Sequence, residues 1–148
     1  MASPKISWYV YDQDEYVLDN DFHLGSFNSK STIKIKIQIW NNRYGSSDVD
    51  TIDNASLVVY FDSLEDSALL NYCTLAINDN VNEEEILTPE IENNKAYFLI
   101  GKLSGQANDG IIDLETYDNY KNITLTFSDF DYSLKNGLKN LYLDIELN

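Results

Sequence analysis

The chain has 148 residues, a length typical of one domain, and its 43% hydrophobic and 13% aromatic residues are enough for a core, which excludes a disordered protein. Its 25 acidic and 10 basic residues give a formal net charge of −15, which opposes binding to nucleic acids and to anionic membranes. No apolar run reaches the ~18 residues of a membrane-spanning helix, and the N-terminal residues lack the apolar core of a signal peptide. We therefore expect no nucleic-acid partner and no membrane insertion.

Alternating apolar and polar residues predict β-strands along most of the chain. The clearest case is residues 32–40, where isoleucines occupy every second position from Ile33 to Ile39. In chain order, strands are predicted at residues 5–11, 32–40, 55–61, 70–77, 96–103, 121–127 and 141–147, with shorter strands near residues 16–18 and 111–114. Residues 63–70 are the best candidate for a short helix.

This pattern of short strands separated by Asn- and Gly-containing turns predicts an all-β sandwich or barrel. No repeat, linker or low-complexity segment divides the chain. We therefore expect residues 1–148 to form a single domain, with residues 1–20 as an edge strand or an arm.

Two segments resemble the Ig-like β-sandwich modules of bacterial surface and phage proteins. In residues 35–61, an alternating apolar strand ends in the turn WNNRYG at residues 40–45, and a return strand follows at residues 55–61. Residues 98–106, FLIGKLSGQ, are similar to the Ile-Gly-x-Leu-x-x-Gly stretch of the same modules. The resemblance spans about residues 33–147, departing from the pattern in an acidic insertion near residues 80–94 and in the lack of a repeat. It implies an Ig-like antiparallel β-sandwich of seven to nine strands without catalytic residues.

The residues that most enzymes need are scarce in this chain. His23 is the only histidine, and we expect it in a loop. Cys73 is the only cysteine, and its mid-strand position is typical of a small buried hydrophobic residue. There is no glycine-rich phosphate loop, dinucleotide fingerprint or nucleophile motif. We therefore predict no catalytic residues and a protein that is not an enzyme.

Acidic residues are concentrated in the middle of the chain. Residues 44–94 contain twelve acids and no base, which is typical of a solvated surface or, alternatively, of a surface for a basic partner or for cations. Asp48, Asp50 and Asp53 lie close enough in sequence to be weak candidates for calcium ligands. They lack the EF-hand pattern, so we expect no metal and no cofactor, with calcium as the alternative.

Aromatic residues and the single arginine predict a protein contact surface. Trp40, Arg43 and Tyr44 lie together at one strand end, and they are the residue types that anchor interfaces. Trp8 and Tyr11 on the N-terminal strand form the second candidate surface. Two alternatives stay open: Trp40 caps the core, or the aromatic residues form a stacking platform for sugars, made of Trp8, Tyr9, Tyr11, Trp40, Tyr44 and Tyr60.

These observations predict a non-enzymatic structural or interaction protein in a homo- or hetero-oligomeric assembly. The abundance of Asn, Ile, Lys and Tyr, whose codons are AT-rich, indicates an AT-rich microbe or its phage. We therefore expect an accessory component of a tailed-phage particle, as capsid decoration, tail or baseplate protein, localised in the virion. The alternative is a carbohydrate-binding or adhesion module of a microbial surface protein, outside the cell.

Overall fold

The computed structural model describes residues 2–10, 15–17, 21–27, 33–61, 69–78, 84–113, 116, 118–128 and 137–147. These residues contain no helix long and apolar enough to cross a membrane. Their strands are β1 (Ile6–Val10), β2 (Glu15–Val17), β3 (Asp21–Phe27), β4 (Ile33–Asn41), β5 (Ile52–Phe61), β6 (Cys73–Asn78), β7 (Glu84–Leu87), β8 (Glu90–Glu92), β9 (Lys95–Leu103), β10 (Tyr120–Phe127) and β11 (Gly137–Leu147).

The strands form two antiparallel sheets. Sheet 1 has six strands in the order β2-β1-β4-β10-β6-β7, and sheet 2 has five in the order β3-β11-β5-β9-β8. Apolar side chains from both sheets form one core, in which Phe61 of sheet 2 meets Phe127 of sheet 1 edge to face at 5.7 Å between ring centroids. The predicted all-β sandwich is therefore confirmed.

The isoleucine alternation of β4 produces the inner face of sheet 1. Ile37 and Ile39 are buried in the core, Ile35 is half-buried against it, and Lys34 is exposed on the opposite face. In the register with β10, Ile37 lies opposite Ile123, so apolar side chains pair directly across the strands. The face predicted from the sequence is confirmed.

Other strands were missed or displaced by the sequence pattern. β3, β7 and β8 were not predicted, and they bring the number of strands above the expected seven to nine. Residues 69–72 form a 3₁₀ turn, so β6 begins at Cys73 and not at residue 70, while the rest of the predicted helix lies outside the described residues. Residues 111–113 form no strand, although one was expected there.

The N-terminal segment is part of sheet 1. β1 pairs with β4 on one side and with β2 on the other, so β2 is the edge strand. Trp8 of β1 belongs to the core. The segment expected as an edge strand or an arm therefore contributes both an edge strand and an inner strand.

Candidate functional site

One end of the sandwich is built from two long connections that contact each other. We call it the loop end: residues 42–51 join β4 to β5, and residues 104–113 begin the connection from β9 to β10. The N–H of Val49 donates to the carbonyl of Gly105 at 2.8 Å, and the N–H of Asn108 donates to the carbonyl of Gly45 at 3.1 Å. The turn at residues 40–45 and the glycine-containing stretch at residues 98–106, on which the resemblance to Ig-like modules is based, thus meet at this end.

Three buried asparagines hold the loop end together, and we call them the amide hub. The side-chain N–H groups of Asn41 donate to the carbonyls of Asp50 and Leu103 at 3.0 and 3.1 Å. Those of Asn42 donate to the carbonyls of Ser47 and Gly105 at 2.9 and 3.0 Å. Those of Asn119 donate to the carbonyls of Ser104, Gln106 and Asn41 at 2.8, 2.9 and 3.4 Å. Because buried carbonyls need partners, these amides replace the hydrogen bonds that a strand would provide.

The hub presents Tyr44 in a strained backbone conformation. Tyr44 has φ 63°, in the left-handed region, where an aromatic side chain is uncommon. Its N–H donates to Asn108 Oδ1 at 3.2 Å. Gly110, with φ 77°, lies against the tyrosine ring so closely that a Cβ there would be 2.1 Å from the ring. Both the backbone and the ring of Tyr44 are therefore held in place.

Arg43 connects Tyr44 to the outer face of sheet 1. Its guanidinium carbon lies 4.3 Å from the ring centroid of Tyr9, 4.7 Å from that of Trp40 and 5.0 Å from that of Tyr44. Its Nε–H donates to the carbonyl of Gly110 at 3.1 Å. Such cation–π contacts each stabilise by about 0.5–1 kcal/mol at exposed sites. Tyr44 is thus the outermost ring of a stack that is rooted in the sheet.

The exposed surface of this end carries three large uncharged side chains among exposed polar residues, which include Asp48, Asp50, Asp109 and Asp113. Tyr44 is 63% exposed, and Ile111 and Ile112, which follow Gly110 directly, are 59% and 46% exposed. We call these three residues the Tyr44 tip. Ile111 and Ile112 were not among the predicted contact residues, because residues 111–114 were expected to form a short strand; the Asn-Asp-Gly sequence at residues 108–110 indicates the turn that exposes them.

The predicted contact residues separate into exposed and buried ones. Trp40 is 0% exposed, since its ring stacks on Tyr120 at 4.8 Å and its Nε1–H donates to Gln38 Oε1 at 2.6 Å. Trp8 is buried in the core, so neither tryptophan presents a side chain to a partner. Tyr11 lies outside the described residues. Of the predicted surface, Arg43 and Tyr44 remain.

The weak calcium candidates are not brought together. Asp48 Oδ1 accepts a hydrogen bond from the N–H of Ala107 at 2.9 Å, and Asp50 and Asp53 point into solvent. In the part of the chain that the structure describes, no three His, Cys, Asp or Glu side chains form a group that fits a metal ion.

The two residues considered as nucleophile or base, Cys73 and His23, lie in strands β6 and β3. Burial raises the pKa of the Cys73 thiol from 9.0 to about 12, so the reactive thiolate is scarce at neutral pH. His23 lies in β3, opposite Asn140 of β11, and not in the expected loop. The structure brings no described acid or base next to Cys73 that would activate it.

The predicted sugar platform is not formed by the described aromatic residues. Trp8 faces the core, Trp40 is buried on the outer side of sheet 1, and Tyr60 lies on the outer side of sheet 2. A flat sugar would therefore meet no continuous row of these rings.

Comparison with known proteins adds no assignment to this geometry. No known protein family matches the chain, and no curated protein is similar to it. At the loop end, a rigid exposed tyrosine lies beside exposed isoleucines, with Arg43 and exposed acids around it, an arrangement that suits binding to another protein surface.

Proposed function

We propose that this chain is a non-enzymatic interaction protein that joins a larger protein assembly through the Tyr44 tip. The observation that carries the proposal is an exposed tyrosine held in a left-handed conformation from two sides, by Asn108 and by Gly110. Strained residues persist where their surroundings over-determine them, and they cluster at functional positions. An anchor that is already rigid loses little conformational entropy on binding, which favours affinity.

The assembly that best fits the sequence is a tailed-phage particle, with this chain as a capsid decoration, tail or baseplate component. The support comes from the small acidic chain, its AT-rich composition and the surface just described. The formal charge of −15 keeps free copies apart before assembly, because like-charged molecules repel. The relationship to Ig-like modules stays a prediction.

The test replaces Tyr44 with the photo-reactive amino acid benzoylphenylalanine in the native host. As a matched control, the same amino acid replaces Ile86, which is exposed on the outer side of sheet 1. We expect one discrete cross-linked product from position 44 and none from position 86. Equal cross-linking from both positions, or none from position 44, would contradict the proposal.

A second variant separates binding from folding. Tyr44→Gly removes the ring and also relieves the positive φ, so we expect an unfolding free energy within about 1 kcal/mol of the wild type. The variant should nevertheless fail to join the particle, because the anchor is gone. Its normal incorporation into particles would show that the tip is not the contact.

A further inference from the structure

The outer face of sheet 2 carries a second group of aromatic side chains, distinct from the Tyr44 tip. Tyr142 of β11 lies opposite Tyr60 of β5, and their rings stack at 5.5 Å. One row further, Tyr97 of β9 lies opposite Val58 of β5. Leu99, 59% exposed, continues the same side of β9. We call these five residues the tyrosine face.

Carboxylates flank the tyrosine face on both sides. Glu90 and Glu92 project from β8, and Asp144 and Glu146 project from β11, all four of them exposed. Glu90 lies opposite Tyr97, and Asp144 lies opposite Val58. A shallow groove of about 430 Å³ crosses β5 between these strands, and it is lined by Ser56, Glu90, Glu92, Asn93, Tyr97 and Glu146.

The face already holds one cation. Lys95 Nζ lies 4.8 Å from the ring centroid of Tyr60, and Lys95 pairs across the strands with Glu92. Four exposed carboxylates therefore flank the tyrosine face, and the ammonium group of Lys95 lies on one of its rings. The Lys95–Tyr60 contact shows that a cationic head group packs against a tyrosine ring of this face.

We propose that the tyrosine face binds an extended lysine- or arginine-bearing segment of another protein. Charge complementarity selects this occupant, since four exposed carboxylates line the two sides of the face. Long basic side chains lay their apolar stems on rings and keep their charged ends near carboxylates. A single exposed ion pair contributes little, so a row of cations has to engage several acids together.

Other occupants fit this face less well. A second copy of the chain carries the same net charge of −15, which opposes stacking. A neutral sugar would stack on the rings and donate hydroxyl hydrogen bonds to the carboxylates, but it would leave their four negative charges uncompensated. The proposed segment also differs from the occupant of the Tyr44 tip, whose three side chains carry no charge.

The experiment titrates the full chain with octalysine and follows backbone amide resonances and the dissociation constant. We expect saturable shifts centred on Ser56, Tyr97 and Glu146. The double variant Glu90→Lys/Glu146→Lys should weaken binding about tenfold, and the matched variant Asp50→Lys/Asp53→Lys, with the same change in net charge, less than about threefold. Equal weakening by both double variants would mean that octalysine is attracted only to the overall negative charge of the chain, and would overturn the proposal.

The contribution of an aromatic ring to octalysine binding is tested by substituting Tyr97. Tyr97→Ala should weaken octalysine binding about threefold. Tyr97→Phe should leave it unchanged, because a phenyl ring keeps the π face, and so should Ile86→Ala, whose side chain is exposed on the outer side of sheet 1, away from the tyrosine face. Unfolding curves of each variant confirm that the chain is folded. Cellohexaose serves as a neutral sugar probe. If it shifts these resonances and octalysine does not, the assignment of a cationic partner would be overturned.

Discussion

The loop end and the tyrosine face are built by opposite means. At the loop end, irregular backbone is held by buried amides and by residues with positive φ, so one side chain is fixed with little freedom. On the tyrosine face, regular antiparallel pairing arranges side chains in rows, and carboxylates surround them. The first arrangement suits recognition by shape, and the second suits recognition by charge.

The two surfaces should therefore respond differently to salt. Interactions between exposed charges are screened within about 8 Å at physiological ionic strength, whereas apolar contacts are not weakened by salt. Binding through the tyrosine face should weaken as salt rises, and binding through the Tyr44 tip should persist. A protein with both surfaces can join one partner by charge and another by fit.

The largest expected effect comes from the core on which both regions depend. Ile37 is fully buried, so Ile37→Asp places an unpaired carboxylate among apolar side chains. We expect the free energy of unfolding to fall by about 4 kcal/mol or more, which is enough to unfold a typical domain. Far-UV circular dichroism and urea unfolding measure it. Lys34→Asp, on the exposed side of the same strand, should stay folded; equal damage from the two variants would contradict the assigned face.

The next effect distinguishes the loop end from the tyrosine face. Asn119→Ala removes the buried amide hydrogen bond to the carbonyl of Ser104, which we expect to cost about 2–3 kcal/mol, while the carbonyl of Gln106 keeps the side-chain amide of Asn108 as a donor. Leu99→Ala, on the tyrosine face, should change the unfolding free energy by about 0.5 kcal/mol or less. Urea unfolding compares the two variants. Similar losses would mean that the amide hub is not a separate stabilising unit.

Two glycines with positive φ, Gly110 at the loop end and Gly101 in β9, differ in the space that surrounds them. A Cβ at Gly110 would collide with the Tyr44 ring, while a Cβ at Gly101 of β9 would meet nothing within 4 Å. Gly101→Ala therefore costs only backbone strain, about 1 kcal/mol. Gly110→Ala adds overpacking of about 1–3 kcal/mol and displaces the tip. Melting temperatures rank the two variants, and equal values would show that the ring moves freely.

The smallest expected effect concerns the scattered acids of the loop end. Because Asp48, Asp50 and Asp53 do not converge, millimolar calcium should leave the melting temperature unchanged. A ligand that bound the native state would raise it by mass action. Differential scanning fluorimetry with calcium and with a chelator measures this. A rise of several degrees that Asp50→Ala abolishes would contradict the expectation.

Much of the sandwich could be predicted because strand patterning is local. The alternation in β4 identified both its buried and its exposed side, and most predicted strands differ from the observed ones only at their ends. Strands without alternation could not be found in this way. β8 is acidic and exposed throughout, and its strand conformation depends on pairing with β9, not on its own residues.

The candidate sites depended on contacts between distant parts of the chain. Sequence proximity selected Trp40, Arg43 and Tyr44 together, but the pleat and the loops bury Trp40 and expose Tyr44. The isoleucines that complete the tip come from the connection after β9. The acids of the tyrosine face likewise come from β8 and β11, and only sheet pairing brings them to one surface.

The all-β class, the inward side of the main strands and the acidic character follow from residue type and from a period of two, so they can be predicted from the chain alone. The exposure of each aromatic ring, the carbonyls that the asparagines satisfy and the places where carboxylates gather cannot be predicted in this way. Those features depend on strand order and on loop packing, and both are set by the chain as a whole.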